Sequence, residues 1–219
     1  MTNAARDEDG VPVPLHDIYS EQLRVDAVRL IWLGYQRLNP TSFRASEEDD
    51  ITGELVRKMK LVAQDPASPD WVDRYEIHEQ PPQNVAGKLG KRRPKMDIEI
   101  ERHSRGPRPH LRFEAKRLGR GHAVGKYLSD EGLGAFLTGY YPTTHGESGM
   151  LGYVQEGTSI DWSAKLKQEL SRDPSKHRLA ENGEWRSSSS ASSAPAFYSN
   201  HTDSKGNPLL VIHVLLPFA

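Results

Sequence analysis

"PKMDIEIERHSRGPRPHLRFEAKRL" (residues 94–118) is the stretch on which the fold turns. "MDIEIE" alternates strictly between apolar and acidic residues. A second run, "HLRFEAKRL", alternates too, placing Leu111, Phe113 and Ala115 on one face and Arg112, Glu114 and Lys116 on the other. A side-chain period of two is that of a half-buried strand. "RHSRGPRP" between the runs reads as a turn, so an antiparallel hairpin is expected. With Glu101 and His110 paired beside the turn, the register continues to Asp97 opposite Glu114, both carboxylates on the polar face. Opposed residues in such a ladder have Cβ atoms about 4.5–5.5 Å apart, so two like charges there repel unless a cation sits between them. A divalent ion meets that need: Mg2+ takes carboxylate and water oxygens at about 2.0–2.1 Å and leaves positions open for phosphate and water. Lys116 projects from the same face, where an ammonium can orient or help deprotonate a water, or offset charge on a phosphorane. These residues offer what phosphodiester hydrolysis requires: a metal Lewis acid, an activated water and a cation at the transition state.

Upstream, Leu23, Ala27, Ile31 and Gly34 recur at helical spacing and predict a first helix over about 17–35. Ser46 and Asp49 resemble a capping box opening a second helix, with the stripe Ile51, Leu55, Met59 and Val62, which Pro66 and Pro69 end. Within "EEDDITGEL", Glu48 shares the inward stripe of Ile51 and Leu55, whereas Glu47, Asp50 and Glu54 lie off it. Trp71 to His78 reads as a strand. Downstream follow a helical segment over about 126–138, a short strand "MLGYV", a helix near 163–170, a flexible Ser-rich loop near 186–196 and a closing buried strand "PLLVIHVLLPF". The expected fold is α/β, a central mixed sheet flanked by helices in the order αβββαβ. Residues 15–219 form one domain after a disordered lead over 1–14.

The chain has no cysteine, which excludes a disulfide framework, a thiolate metal site and a cysteine nucleophile. "MTNAARDEDGVPVP" lacks the basic start and apolar core of a signal peptide, and nowhere do about 18 apolar residues run together. A cytoplasmic location without membrane attachment is therefore expected. The net charge of -1 hides an uneven distribution. Residues 88–126 hold 13 Lys or Arg against 4 Asp or Glu, leaving 16 bases and 26 acids for the rest. A basic centre in an acidic frame points to a phosphate-binding groove. Its nucleic-acid-binding candidates are Lys91, Arg92, Arg93 and Lys95 before Asp97, and Arg117 and Arg120 after Lys116. His213, alone in an apolar strand, reads as a satisfied core residue.

"PKMDIEI" followed by "FEAKRL" resembles the motif of the PD-(D/E)XK nuclease superfamily, an acid at one strand end and acid-x-Lys on the next. The proline that directly precedes the first acid in that family is separated from Asp97 here by Lys95 and Met96. "YLSDEGLGAF", "GYY", "GMLGYV" and "SNHTDSKGNPLLVIHVLLPF" are similar to segments of bacterial restriction-endonuclease-like proteins of unassigned function, some linked to phage defence. The resemblance covers roughly residues 15–219. It implies a restriction-endonuclease-like core and Mg2+- or Mn2+-dependent endonuclease activity, with DNA as the expected substrate. Asp97 and Glu114 would bind metal, Glu48 from the preceding helix would complete the shell or orient water, and Lys116 would assist the nucleophile or the transition state. Cutting both strands of a duplex takes two sites, so a homodimer or partner subunits of a defence system are the expected partners besides DNA. The alternative is a catalytically inactive nucleic-acid-binding or assembly module on the same fold.

Overall fold

A computed structural model describes residues 15–83, 90–103, 108–143, 145–181, 183–188 and 194–219; the lead expected over 1–14 lies outside them. The first stripe becomes α1 (Leu15–Gln36), with Leu23, Ala27 and Ile31 buried. The second becomes α2 (Glu48–Gln64), whose Ile51, Leu55, Met59 and Val62 are all buried. Gly34 lets the two helices touch, since a Cβ there would meet Met59 Cγ at 2.5 Å. α2 starts one residue later than a Ser46 cap implies: Glu47 is the N-cap, without a side-chain cap. Ser46 instead turns its carbonyl to Gln155 Nε2 at 2.8 Å. Glu48, Asp49 and Asp50 occupy the first turn of α2, where the helix dipole favours negative charge.

The strand expected over 71–78 is half turn. Pro69, with φ fixed near -61°, leads into a 3-10 helix over Asp70–Arg74, and β1 follows at Tyr75–Glu79. β2 (Ile98–Arg102) and β3 (His110–Leu118) form the antiparallel hairpin. Glu101 pairs with His110 and Ile98 with Phe113, the register inferred from the alternation. The single helix expected over 126–138 is two, α3 (Val124–Tyr127) and α4 (Leu133–Leu137). The amides of Gly132 and Gly134 both donate to Ser129 O at 2.9 Å and turn the chain between them. A Cβ on Gly132 would meet Tyr127 O at 2.3 Å, so only glycine fits that turn. β4 (Glu147–Val154) and α5 (Ser159–Arg172) follow, the helix opened by Thr158 Oγ1 accepting from Asp161 N at 3.1 Å.

The Ser-rich segment read as a loop over 186–196 is bounded by strands instead, β5 (Arg186–Ser187) and β6 (Ala196–Thr202); its residues 189–193 lie outside the described ones. β7 (Pro208–Pro217) closes the chain. The architecture is α/β: a seven-stranded mixed sheet in the order β1-β2-β3-β4-β7-β6-β5, with β3, β4 and β7 parallel to one another. α1 and α2 cover one face through Ile98, Ile100, Leu111, Phe113, Leu151 and Val214. α3, α4 and α5 cover the other through Leu118, Met150, Val154, Val211 and Leu215. No helix among the described residues is long and apolar enough to cross a membrane.

Under α3, a polar chain runs through the second core. Tyr127 Oη lies 3.0 Å from His213 Nδ1, His213 Nε2 lies 2.8 Å from Ser199 Oγ, and Ser199 Oγ lies 2.7 Å from His201 Nε2. His201 Nδ1 ends it, 2.7 Å from the His177 carbonyl. Burial keeps both imidazoles neutral, pushing His201 down to about 4 and His213, which also faces His201, well below the usual range. The direction of every bond then follows. A carbonyl only accepts, so His201 carries its proton on Nδ1 and its Nε2 accepts from the Ser199 hydroxyl. Ser199 in turn accepts from His213 Nε2–H, which leaves His213 Nδ1 to accept from Tyr127. Nitrogen-15 NMR is expected to find His201 protonated on Nδ1 and His213 on Nε2. Ser199→Ala strands two buried imidazole nitrogens and is expected to lower stability by roughly 2–4 kcal/mol in a denaturant melt. Finding Nε2–H on both rings excludes this assignment.

Candidate active site

The site forms where the hairpin splits. β2 leaves its ladder at Ile98, so the Ala115 and Arg117 amides, further along the same edge of β3, must find acceptors elsewhere. Carboxylates supply them. Asp97 Oδ2 accepts from Ala115 N at 2.7 Å, and Glu48 Oε2, from the first residue of α2, accepts from Arg117 N at 3.1 Å. On the face of β3 that carries Glu114 and Lys116, the Lys116 ammonium donates to Glu114 Oε1 at 2.7 Å and to Glu48 Oε1 at 3.0 Å. Asp97, Glu114, Lys116 and Glu48, the four residues picked out in the sequence, thus meet from three separate elements.

Electrostatics at this point are unbalanced. Glu114 is 5% exposed. Burial and then the charge of Asp97 push its carboxyl up to about 8, against the opposing pull of Lys116. Asp97 rises to about 6, mainly through burial, with Glu48 and Asp49 adding to it and the Ala115 amide and Lys116 resisting. Burial works against the Lys116 ammonium, but Glu114 and Glu48 outweigh it and hold that group above its ordinary range. Carboxylates forced toward the protonated form by burial, and to a lesser extent by one another, are what a divalent cation relieves. An all-oxygen donor set suits Mg2+ or Mn2+, so the residues present fit such an ion. Among the described residues, however, the three His, Asp or Glu side chains with ligand atoms all within 4.8 Å of one another are His78, Glu99 and Glu101. Glu48, Asp97 and Glu114 are spread wider because Lys116 stands between Glu48 and Glu114. The other trio is already neutralised: Arg112 Nε reaches Glu99 at 2.6 Å, and Arg108 reaches Glu101 at 2.9 Å.

A cavity of about 400 Å³ opens beside Lys116, lined by Glu47, Glu48, Asp49, Arg117, His122, Lys126 and Glu131. A larger hollow, about 720 Å³, lies away from the site between α2 and the edge strand β1. Lys91 and Lys95 are exposed on the loop that enters β2, and Lys95 forms an isolated bridge with Pro82 beside the entry of Asp97. Arg93 is half-buried there, and the Arg92 side chain lies outside the described ones. Arg120 is exposed in the turn between Gly119 and His122. Arg117, expected to grip a phosphate, pairs with Glu47 at 2.6 Å and reaches Ser46 O at 3.4 Å, strapping the start of α2 to β3. Comparison with protein-family models, curated proteins and solved structures found no match for the chain.

One neighbour of the site has no signal in the sequence. Tyr141, in the irregular stretch after α4, has its phenol raised above the ordinary range by burial and then by the charges of Glu114 and Asp97. Tyr153, an equally visible aromatic, is fully buried on the opposite face and bonds Thr52 Oγ1 at 2.8 Å.

Proposed function

We propose that this chain is a Mg2+- or Mn2+-dependent endonuclease of the PD-(D/E)XK type, hydrolysing phosphodiester bonds in DNA. The observation that carries the reading is the convergence of Asp97, Glu114 and Glu48 on Lys116 where the hairpin splits. The element order, two helices and a hairpin followed by short helices and a parallel strand, supports the restriction-endonuclease-like core that the motif implies. A bound divalent ion supplies Lewis-acid polarisation of the phosphate and a more acidic water. Asp97 and Glu114 would hold it, with Glu48 completing the shell or accepting a hydrogen bond from the water. Lys116 is placed to turn from Glu48 toward that water or toward a non-bridging oxygen of the phosphate. Lys91, Lys95 and Arg120 provide exposed positive charge around the site for the DNA backbone.

The Lys116 ion pairs also suit an inactive scaffold that keeps the fold for DNA binding or assembly. One experiment separates the two: incubation of supercoiled plasmid and of single-stranded DNA with purified protein in Mg2+, Mn2+ or EDTA, with Asp97→Asn alongside. Asparagine keeps an acceptor for the Ala115 amide, so the fold is retained while a charged ligand is lost. Metal-dependent cutting that falls about a hundredfold or more in Asp97→Asn is expected, several kcal/mol of transition-state stabilisation. Equal DNA binding in metal and EDTA, with no cutting by either protein, establishes the scaffold.

A further inference from the structure

β1 ends the sheet, and the hydrogen bonds beside it show which way its backbone groups point. Gln80 N donates to Asp97 O at 3.1 Å, and His103 N donates to Arg74 O at 2.8 Å. Both bonds continue the β1–β2 register, in which Glu76 faces Glu101 and His78 faces Glu99. Antiparallel ladders alternate between pairs that exchange both backbone bonds and pairs that exchange none, so Glu76 and His78 turn their backbone toward β2. Tyr75, Ile77 and Glu79 turn theirs to the other side, where no strand lies among the described residues. The Tyr75 amide is taken by Val72 O. The Tyr75 carbonyl, both Ile77 groups and the Glu79 amide are left to this edge, beside the hollow of about 720 Å³ that α2 lines with Lys60, Ala63 and Gln64.

We propose that β1 is a docking edge for a second copy of this chain, the two strands pairing antiparallel about Ile77. The strand is complementary to itself in that register. Ile77 exchanges both backbone bonds with the partner's Ile77, and each Glu79 amide reaches the Tyr75 carbonyl of the other copy. Glu76, which is exposed, then faces the half-buried His78 of the partner, and the reverse. These are the pairs without backbone bonds, where opposed Cα atoms come closest, about 4.5 Å. A carboxylate accepts and an imidazole always carries an N–H, so both contacts are favourable. A slip of two residues, the smallest that keeps the outward groups facing each other, sets Glu76 against Glu76 or His78 against His78. Pro81 and Pro82, which have no amide, end the usable edge. A twofold pair consumes the edge of both copies and closes on itself. The inference stands apart from the metal-dependent reading above.

Sedimentation equilibrium of the full chain in EDTA, without nucleic acid, is expected to show a reversible monomer–dimer equilibrium. Glu79→Pro deletes an amide that points away from β2, and Glu76→Lys deletes the acceptor for the partner's His78. Each is expected to weaken self-association about 10–100-fold, the loss of two symmetry-related hydrogen bonds, with an unchanged circular dichroism spectrum. Cross-linking reads the register, since the chain has no cysteine of its own. Glu76→Cys mixed with His78→Cys is expected to give a disulfide-linked dimer under a mild oxidant, because directly opposed residues lie within bridging distance. Glu76→Cys alone is expected to stay unlinked, its two copies being diagonal neighbours about 7–8 Å apart. A chain that sediments as a monomer throughout the micromolar range overturns the proposal and leaves the edge to a different chain. A dimer that neither substitution weakens and the mixed cysteines do not link has its contact elsewhere, and overturns it too. Metal-dependent cleavage by such a monomer would retain the reading above and reject this one alone.

Discussion

Lys116→Ala is expected to lower metal-dependent cleavage by about 10²- to 10⁴-fold, the range over which a positioned proton-transfer group contributes. Three features of the structure set that expectation. The ammonium is side by side with two carboxylates, so it is already oriented when substrate arrives. It stays protonated across the neutral range, so its natural part is to donate to an oxyanion or to a metal-bound water rather than to act as a free base. It also stands between Glu48 and Glu114, and truncation to Ala opens that position. Metal binding is therefore expected to survive the substitution while turnover does not, a fall in kcat rather than in Mn2+ affinity. Lys116→Arg keeps the charge but carries a planar fork in place of a compact ammonium, and is expected to recover only part of the loss. Single-turnover cleavage with enzyme in excess, paired with Mn2+ titration, reads the two quantities separately. Full cleavage by Lys116→Ala removes this residue from the chemistry.

Much of this site was legible before any fold was available, for a local reason. Alternation in "MDIEIE" and "HLRFEAKRL" sets which side chains share a face, and the intervening turn sets the register, so Asp97 and Glu114 are brought together by covalent geometry and one hairpin. Glu48 was reachable because an inward helical stripe reports direction as well as burial. What escaped depends on distant contacts. β6 was lost because its inward positions Ser199 and His201 are polar, satisfied by His213, itself fourteen residues beyond Ser199, and by the His177 carbonyl, so apolar alternation is absent. Arg117 reads as one more cation in a basic stretch, and only the fold reveals that Glu47, seventy residues earlier, claims it. Tyr141 sits in irregular chain, where no periodicity states which way a side chain points.

In EDTA, stability is expected to fall as pH rises from about 7.5 to about 8.5, and Glu114 is the cause. Its ordinary value is 4.5, so the unfolded chain has released this proton well below neutrality, whereas the folded protein retains it up to about 8. A group whose folded value is raised contributes stability that is present in acid and lost as pH climbs through that folded value. The loss approaches about 1.4 kcal/mol per pH unit for one proton while the folded carboxyl stays protonated, and ends once it ionises. The window must begin at about 7.5 because His110, His122, His177, His201 and His213, all with depressed folded values, act in the opposite sense. They add stability as pH rises through 6.5, where the unfolded rings are still half protonated, and little once pH is about a unit higher. Asp97, raised to about 6, is almost fully ionised by about pH 7.5. Above that point the slope isolates Glu114. Urea melts across the window are expected to show the decline in EDTA and its reversal by excess Mg2+, which binds the ionised carboxylate. Glu114→Gln is expected to flatten the slope above about 7.5 and to leave the rise from the histidines near 6.5 in place. A flat or rising curve for the unaltered protein in EDTA would mean that Glu114 is already ionised beside Lys116, and that the site has no charge imbalance for a metal to relieve.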